Sequence, residues 1–192
     1  MRDFIFITGA SGVGKTTLAK ALFDRIGGAY LETSMVPEFR IPDDADPGAF
    51  EEKVCFEATV AQMIKFHELG IRNIIAADFD DLRTADLPIL FKGYDFVTLK
   101  LVCSDYEQNR AQMADRGNGL IDFELLERMY AKVMNRPLLV NEVLIDVAGK
   151  LPEEVLAEAL ARIGDTPSKL DYDYKKPPKD MFYSWVFSNG LR

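Results

Sequence analysis

Apolar residues in this chain fall into two alternating patterns: short unbroken runs, and longer stretches with helical spacing. Phe4-Ile5-Phe6-Ile7 is an unbroken run, the pattern of a strand buried on both faces of a sheet. Lys15 to Ile26 predicts a helix that stops at Gly27-Gly28, and Ala29 to Thr33 a short second strand. Phe50 to Leu69 predicts a long helix ended by Gly70, with Phe50, Val54, Ala58, Ala61, Ile64 and Phe66 on its apolar face. Arg72 to Asp78 and Phe96 to Cys103 read as the third and fourth strands, with a short helix between them around Leu87 to Phe91. Ser104 or Asp105 is placed to cap a helix from Tyr106 to Asp115. An amphipathic helix from Asp122 to Asn135 carries Leu125, Leu126, Met129, Tyr130 and Val133 on one side. Glu142 to Val147 is the fifth strand, and Pro152-Glu153-Glu154 opens a last helix that runs to Ile163-Gly164.

Strands alternating with helices predict an α/β fold, a five-stranded parallel sheet with helices on both faces. In such folds ligands bind beyond the carboxyl ends of the strands. That rule gathers residues 9–16, 33–40 and 78–83, with Ser104 and Ala148-Gly149, at one edge.

Three stretches depart from the alternation. Residues 34–48 hold three prolines and four acids, an irregular connection of the length that functional loops have. Arg116-Gly117-Asn118-Gly119 is a hinge-like break. The tail, residues 165–192, carries Tyr172, Tyr174, Phe182, Tyr183, Trp185 and Phe187 among lysines and prolines. Disordered tails are poor in aromatics, so this one is expected to pack on the body or on a partner chain, a second copy included.

The chemistry begins between the first strand and first helix. Gly9-Ala10-Ser11-Gly12-Val13-Gly14-Lys15-Thr16-Thr17 fits G-x-x-x-x-G-K-[ST], the phosphate-cradling loop. Glycines let successive backbone N–H groups aim at one anion, and the helix start adds unpaired donors and its positive dipole end. Lys15 would reach the β- and γ-phosphates of a nucleotide, the Thr16 hydroxyl would ligate Mg²⁺, and Thr17 can donate to a phosphate nearer the nucleoside.

Further candidates stand at the same edge. Asp78 ends the third strand, where its carboxylate could hold Mg²⁺ or take the proton of an attacking hydroxyl; Asp80 and Asp81 follow it. Arg110 and Arg116 flank the glycine break, as guanidinium groups that clamp a transferred phosphoryl group should. Glu32 and Arg40 are candidates for the acceptor side. His67, the single histidine, reads as structural, as do Cys55 and Cys103.

Composition narrows the class. At 192 residues the chain is long enough for one substantial core, with 48% hydrophobic and 28% charged residues. A net charge of −8 argues against a nucleic-acid surface. No apolar run approaches a membrane span, and the start runs straight into the first strand without room for a signal peptide. A cytoplasmic protein with reduced cysteines is the expectation.

The order of these motifs resembles the small P-loop kinases related to adenylate, shikimate and gluconate kinases. The resemblance spans Phe4 to Ile163 and rests on Gly9 to Thr17, the strand ending at Asp78, Phe96 to Cys103 leading into Arg110 and Arg116, and Glu142 to Gly149 followed by Pro152. It implies a three-layer P-loop NTPase fold over residues 1–164. It also implies a substrate-binding segment at about 34–69, a lid at about 110–121, and an adenine-bordering loop at Ala148-Gly149-Lys150. The acceptor arginines of nucleoside monophosphate kinases are missing apart from Arg40.

The function expected is an ATP- and Mg²⁺-dependent phosphotransferase acting on a small metabolite or nucleotide-like acceptor. Lys15, Asp78, Arg110 and Arg116 would be its catalytic residues, and Glu32 and Arg40 would serve the acceptor. A nucleotide-binding switch or regulatory ATPase whose tail docks a partner is the alternative, beside a kinase homologue that binds ATP without transferring phosphate.

Overall fold

The structure is a computed structural model, and it describes residues 1–79, 81–115 and 123–178. Five strands form one parallel sheet: β1 (Phe4–Gly9), β2 (Ala29–Glu32), β3 (Ile74–Ala77), β4 (Phe96–Val102) and β5 (Glu142–Asp146), in the order β2-β3-β1-β4-β5. β1 lies in the middle, paired Phe4 to Ile74 on one side and Phe4 to Phe96 on the other. Its unbroken apolar sequence follows from this position, because helices cover both faces.

Alternate residues of each strand serve opposite faces. Ile5 and Ile7, with Ile75, Val97, Leu99 and Ile145, meet Leu18, Ala19 and Leu22 of α1 (Lys15–Ile26) and Val155, Ala159 and Ile163 of α7 (Pro152–Asp165). Phe4 and Phe6, with Ile74, Ala76 and Phe96, meet Phe56, Val60 and Met63 of α2 (Pro47–Glu68). The second face is aromatic. Phe91 stands edge-on to Phe4 and Phe6 at 4.7 and 4.8 Å between ring centres. Such offset and edge-on pairs add to what area burial contributes. The fold is the α/β arrangement that the alternation predicts, and its three layers are those of the P-loop NTPase fold that the resemblance implies.

Several element bounds and one helix face differ from expectation. α2 starts at Pro47, three residues before the expected Phe50, because Asp46 Oδ1 accepts the Ala49 N–H at 2.8 Å and Pro47 fits the first helical turn. Its buried residues are Phe56, Thr59, Val60 and Met63, whereas Ala61 is exposed. Of the expected stripe, Ile64 and Phe66 do pack, partly buried, against the same cluster, so periodicity found part of the buried face and missed Phe56, Val60 and Met63. The second strand ends at Glu32, and Thr33–Met35 forms one 3-10 turn. The single helix expected around Leu87 to Phe91 is two short ones, α3 (Asp81–Thr84) and α4 (Leu87–Leu90). α5 (Tyr106–Ala114) is capped by Asp105, which accepts the Gln108 N–H at 3.0 Å, and α6 (Phe123–Asn135) follows.

The C-terminal run to residue 178 lies along the body. Tyr172 Oη donates to the Pro88 carbonyl at 2.6 Å, Tyr174 Oη to that of Ala85 at 3.0 Å, and Lys176 pairs with Asp86 at 2.6 Å. Burial pushes the Tyr174 hydroxyl up to about 12. Phe182, Tyr183, Trp185 and Phe187 lie outside the described residues. His67 packs between Phe4 and Tyr94 with its Nε2 3.1 Å from Asp3, a structural setting.

Candidate active site

The loop from Gly9 to Thr17 leaves the carboxyl end of β1 and enters α1, so three physical effects converge on one concavity. The backbone turns through positive φ at Gly9 (+146°) and Gly12 (+82°). At Gly9 a Cβ would stand 2.4 Å from the Leu101 carbonyl oxygen, and at Gly12 one would stand 2.8 Å from Met113 Cγ. Only glycine lets the loop approach β4 and α5 this closely. Beyond the turn, the first N–H groups of α1 have no acceptor within the helix and offer an anion site.

Lys15 folds back over this loop. Its Nζ donates to the carbonyls of Gly9 and Ala10, both at 3.1 Å, and lies 3.5 Å from Asp78 Oδ1. Asp78 follows directly on β3 with a positive φ of +72° and an exposed side chain. The left-handed backbone turns its carboxylate toward the loop, and such conformations in non-glycine residues concentrate at functional sites.

A cleft of about 450 Å³ runs from the loop between α1 and the start of α7. Thr16, Thr17, Lys15 and Asp78 line it on the side of the glycine-rich loop, and Val147, Lys150, Pro152 and Val155 on the other. The Ala148-Gly149-Lys150 loop that the resemblance assigns to the adenine flanks this cleft. Gly149 N–H donates to Gln108 at 2.9 Å, and Lys150 Nζ reaches the Asp146 carbonyl and Glu158, both at 2.6 Å. Asp146 ties the ends of β4 and β5, accepting the Ser104 and Ala148 N–H groups at 3.0 Å each. Burial pushes its carboxyl up, but hydrogen bonding by the Ser104 side chain, those two N–H bonds and the nearby Lys150 outweigh burial and hold it below the usual carboxylate value.

Two further cavities border Asp78. One of about 200 Å³ lies among Lys15, Asp78, Phe79 and Lys132 of α6. The other, of about 320 Å³, lies beyond Asp78 between α2 and α3, with Thr33, Ser34, Glu51, Glu52 and Arg83 in its wall. Asp78 is common to all three cavities.

Some expected residues stand apart from this constellation. Arg40 is exposed on the loop before α2 and lines none of these three cavities. Glu32 accepts a hydrogen bond from Tyr30 Oη and also stands outside them. That contact follows burial among the causes that raise the Tyr30 hydroxyl. Arg110 is exposed, with its guanidinium 4.9 Å over the Phe123 ring. Arg116, Asp80 and half of the expected lid at 110–121 lie outside the described residues, as does the Asp81 side chain. Cys103 is a buried core residue, as expected, while Cys55 is half-buried in the wall of the 320 Å³ cavity.

Other contributors carry no sequence motif. Asn109 of α5 is fully buried and donates from Nδ2 to the Ser11 carbonyl at 3.0 Å, bracing the loop from below. Gln112, one turn on, lines the 450 Å³ cleft. The only trace in the sequence is that α5 is polar nearly all round, which suits a helix packed on a polar loop rather than on a core. Nothing local marks Lys132, Glu51 or Arg83.

No protein-family model matches the chain. The curated protein "Putative adenylate kinase" of Pyrococcus furiosus is 24% identical over 156 residues, which cover 81% of each chain. Among solved structures, a gluconokinase from Sinorhizobium meliloti superposes with a TM-score of 0.61 at 17% identity, covering 83% of this chain and 90% of its own. A sugar kinase from Janibacter gives 0.60 at 18% identity, covering 84% and 94%. The chain thus has the fold of small P-loop kinases and is similar to them along most of its length.

Proposed function

We propose that this protein is an ATP- and Mg²⁺-dependent phosphotransferase with a small-molecule acceptor. One observation carries the reading: Asp78 borders both the cleft that opens on the phosphate-binding loop and a separate cavity that faces away from it. A plain nucleotide hydrolase needs the first of these and has no use for a second chamber beside it.

In this reading the loop amides and Lys15 hold the β- and γ-phosphates of the nucleotide. Lys15 would exchange its carbonyl partners for phosphate oxygens, whose negative charge makes them stronger acceptors. The Thr16 hydroxyl and Asp78 carboxylate line one cleft and fit Mg²⁺, which takes few protein ligands and otherwise uses phosphate oxygens and water. The metal would supply neutralisation of charge on the transferred group. Asp78 would also orient the acceptor hydroxyl and receive its proton. Arg110 and Arg116 are proposed to reach the transferred group when the segment between them closes, excluding water. Both cysteines are free, and among the described residues no helix is long and apolar enough to cross a membrane; these features fit a reducing, cytoplasmic setting.

The test is a metabolite-pool screen with ATP and Mg²⁺, scored by mass for phosphorylated product. The intact protein should convert one acceptor, and Lys15→Ala should lose turnover by at least about a hundredfold. ATP hydrolysis without any product would turn the reading toward the regulatory ATPase, and unchanged turnover in Lys15→Ala would remove the loop's assignment.

A further inference from the structure

The 320 Å³ cavity beyond Asp78 has a chemical bias of its own. Its floor is apolar, formed by the buried rings of Phe56 and Phe79. Its rim carries the hydroxyls of Thr33 and Ser34 and the carboxylates of Glu51, Glu52 and Asp78. Among the described residues Arg83 is the one cation in the wall. Its Nε and Nη2 donate to the two oxygens of Glu52, both at 2.7 Å, and the guanidinium carbon lies 5.1 Å over the Phe56 ring. Asp86 stands on its other side at 3.9 Å.

A two-pronged pair of this kind uses the fork that would otherwise recognise a carboxylate or phosphate. Lys15 lies 3.5 Å from Asp78 but outside this wall; it donates to the loop carbonyls and, in the phosphotransferase reading, serves the nucleotide. Glu51 is exposed on the rim and makes no ion pair among the described residues. Arg40, the residue expected to grip an anion, is not in this wall. Among the described residues, an anionic acceptor would therefore enter between Glu51 and Asp78 with no cation in the wall but the already paired Arg83, and like charges brought together oppose binding. A protonated amine entering the same space would gain a charge-assisted hydrogen bond to a carboxylate, with the apolar floor under its carbon frame.

We propose that the acceptor is a hydroxylated amine, a small molecule with a protonated amino group held by Glu51 and a hydroxyl held at Asp78. This deepens the phosphotransferase reading and rests on it for the reaction, though not for the binding. In the transfer, the acceptor oxygen forms a bond to the γ-phosphorus of the nucleoside triphosphate. The bond from that phosphorus to the bridging oxygen breaks, the nucleoside diphosphate leaves, and the hydroxyl proton passes to the Asp78 carboxylate.

Cys55 gives a readout of occupancy that needs no turnover. It is half-buried in the cavity wall, whereas Cys103 is fully buried, so N-ethylmaleimide reports on the cavity through Cys55. Three pools of matched size serve as probes: D-glucosamine with small amino alcohols, D-glucose with polyols, and D-gluconate with other hydroxy acids. A member of the amine pool should slow alkylation of Cys55 at least tenfold and yield a phosphorylated product with ATP and Mg²⁺. Glu51→Gln, an exposed change that leaves the core untouched, should weaken both effects about tenfold, and Glu51→Asp should restore much of them.

Shielding or product from the neutral or anionic pool in place of the amine pool overturns the proposal. So does a Glu51→Gln variant that matches the parent, and so does absence of shielding by every pool. Shielding by an amine without any product keeps the ligand class and removes the phosphotransferase reading. Product from an anionic acceptor does the reverse.

Discussion

Gly9 and Gly12 both need a positive φ, but what lies opposite each differs. A methyl on Gly9 would meet the Leu101 carbonyl at 2.4 Å, in a backbone fixed by the β1–β4 ladder. A methyl on Gly12 would meet Met113 at 2.8 Å and Asn109 Nδ2 at 3.0 Å, side chains that can shift where a sheet carbonyl cannot. Gly9→Ala should therefore lower unfolding free energy by about 3 kcal/mol or more, and Gly12→Ala by about 1–2 kcal/mol, in urea titrations. Asp146 makes a pH prediction. Its folded carboxyl lies below the unfolded value of about 3.9, so its contribution is present above that value and lost as pH falls through the folded one. Wild type should be more stable than Asp146→Asn at pH 6, and the gap should close below about pH 4. A gap that stays constant across that range would show that the carboxylate charge contributes nothing. Gly9, Gly12, Lys15 and Thr16 were legible because phosphate-loop geometry is local in sequence. Asp78 was legible because a strand's end is.

At the scale of elements, α5 couples the loop to the rest of the fold. Asn109 is fully buried and its Nδ2 holds the Ser11 carbonyl 98 residues away. Asn109→Ala should cost about 1–3 kcal/mol of stability, because it leaves that carbonyl without its donor. Nucleotide affinity should fall as well, since the loop loses its brace. A calorimetric titration with ATP giving parental affinity in a destabilised Asn109→Ala would separate the two effects and confine the bond to folding. The strands were read correctly to within a few residues, because an unbroken apolar run flanked by glycine or acid has few other uses. The buried stripe of α2 was read only in part, because apolar residues on more than one side of a helix offer several candidate faces. Only the packing against Phe4 and Phe6 selects Phe56, Val60 and Met63.

At the scale of the whole molecule, Arg2 ties the start of β1 to the end of α7. Arg2, buried near the start, donates to the Ile163 and Thr166 carbonyls and pairs with Asp95 at 2.6 Å. From there the chain runs past the amino ends of the strands, where Lys169 and Asn141 exchange hydrogen bonds at 2.8 and 2.9 Å. It then reaches α4 through Tyr172 and the turn before α4 through Tyr174. These contacts lie away from the phosphate loop, so Tyr172→Phe combined with Tyr174→Phe should lower stability by about 2 kcal/mol and leave ATP affinity unchanged. Loss of ATP binding at parental stability would show instead that the tail communicates with the site.

What the sequence by itself determined is whatever local geometry decides: the glycine-rich loop between β1 and α1, the strand–helix alternation, and the placing of Asp78 at a strand end. Each depends on residues that are neighbours in the chain. The tertiary structure alone decided which groups face Asp78 from elsewhere. Arg83 and Glu52 pair across 31 residues, which neutralises the cation that would otherwise mark an anion site. Asn109 and Ser11 meet only because α5 packs under the loop. Such pairings depend on how helices seat against the sheet, and many side chains compete for each seat, so no spacing along the chain encodes them.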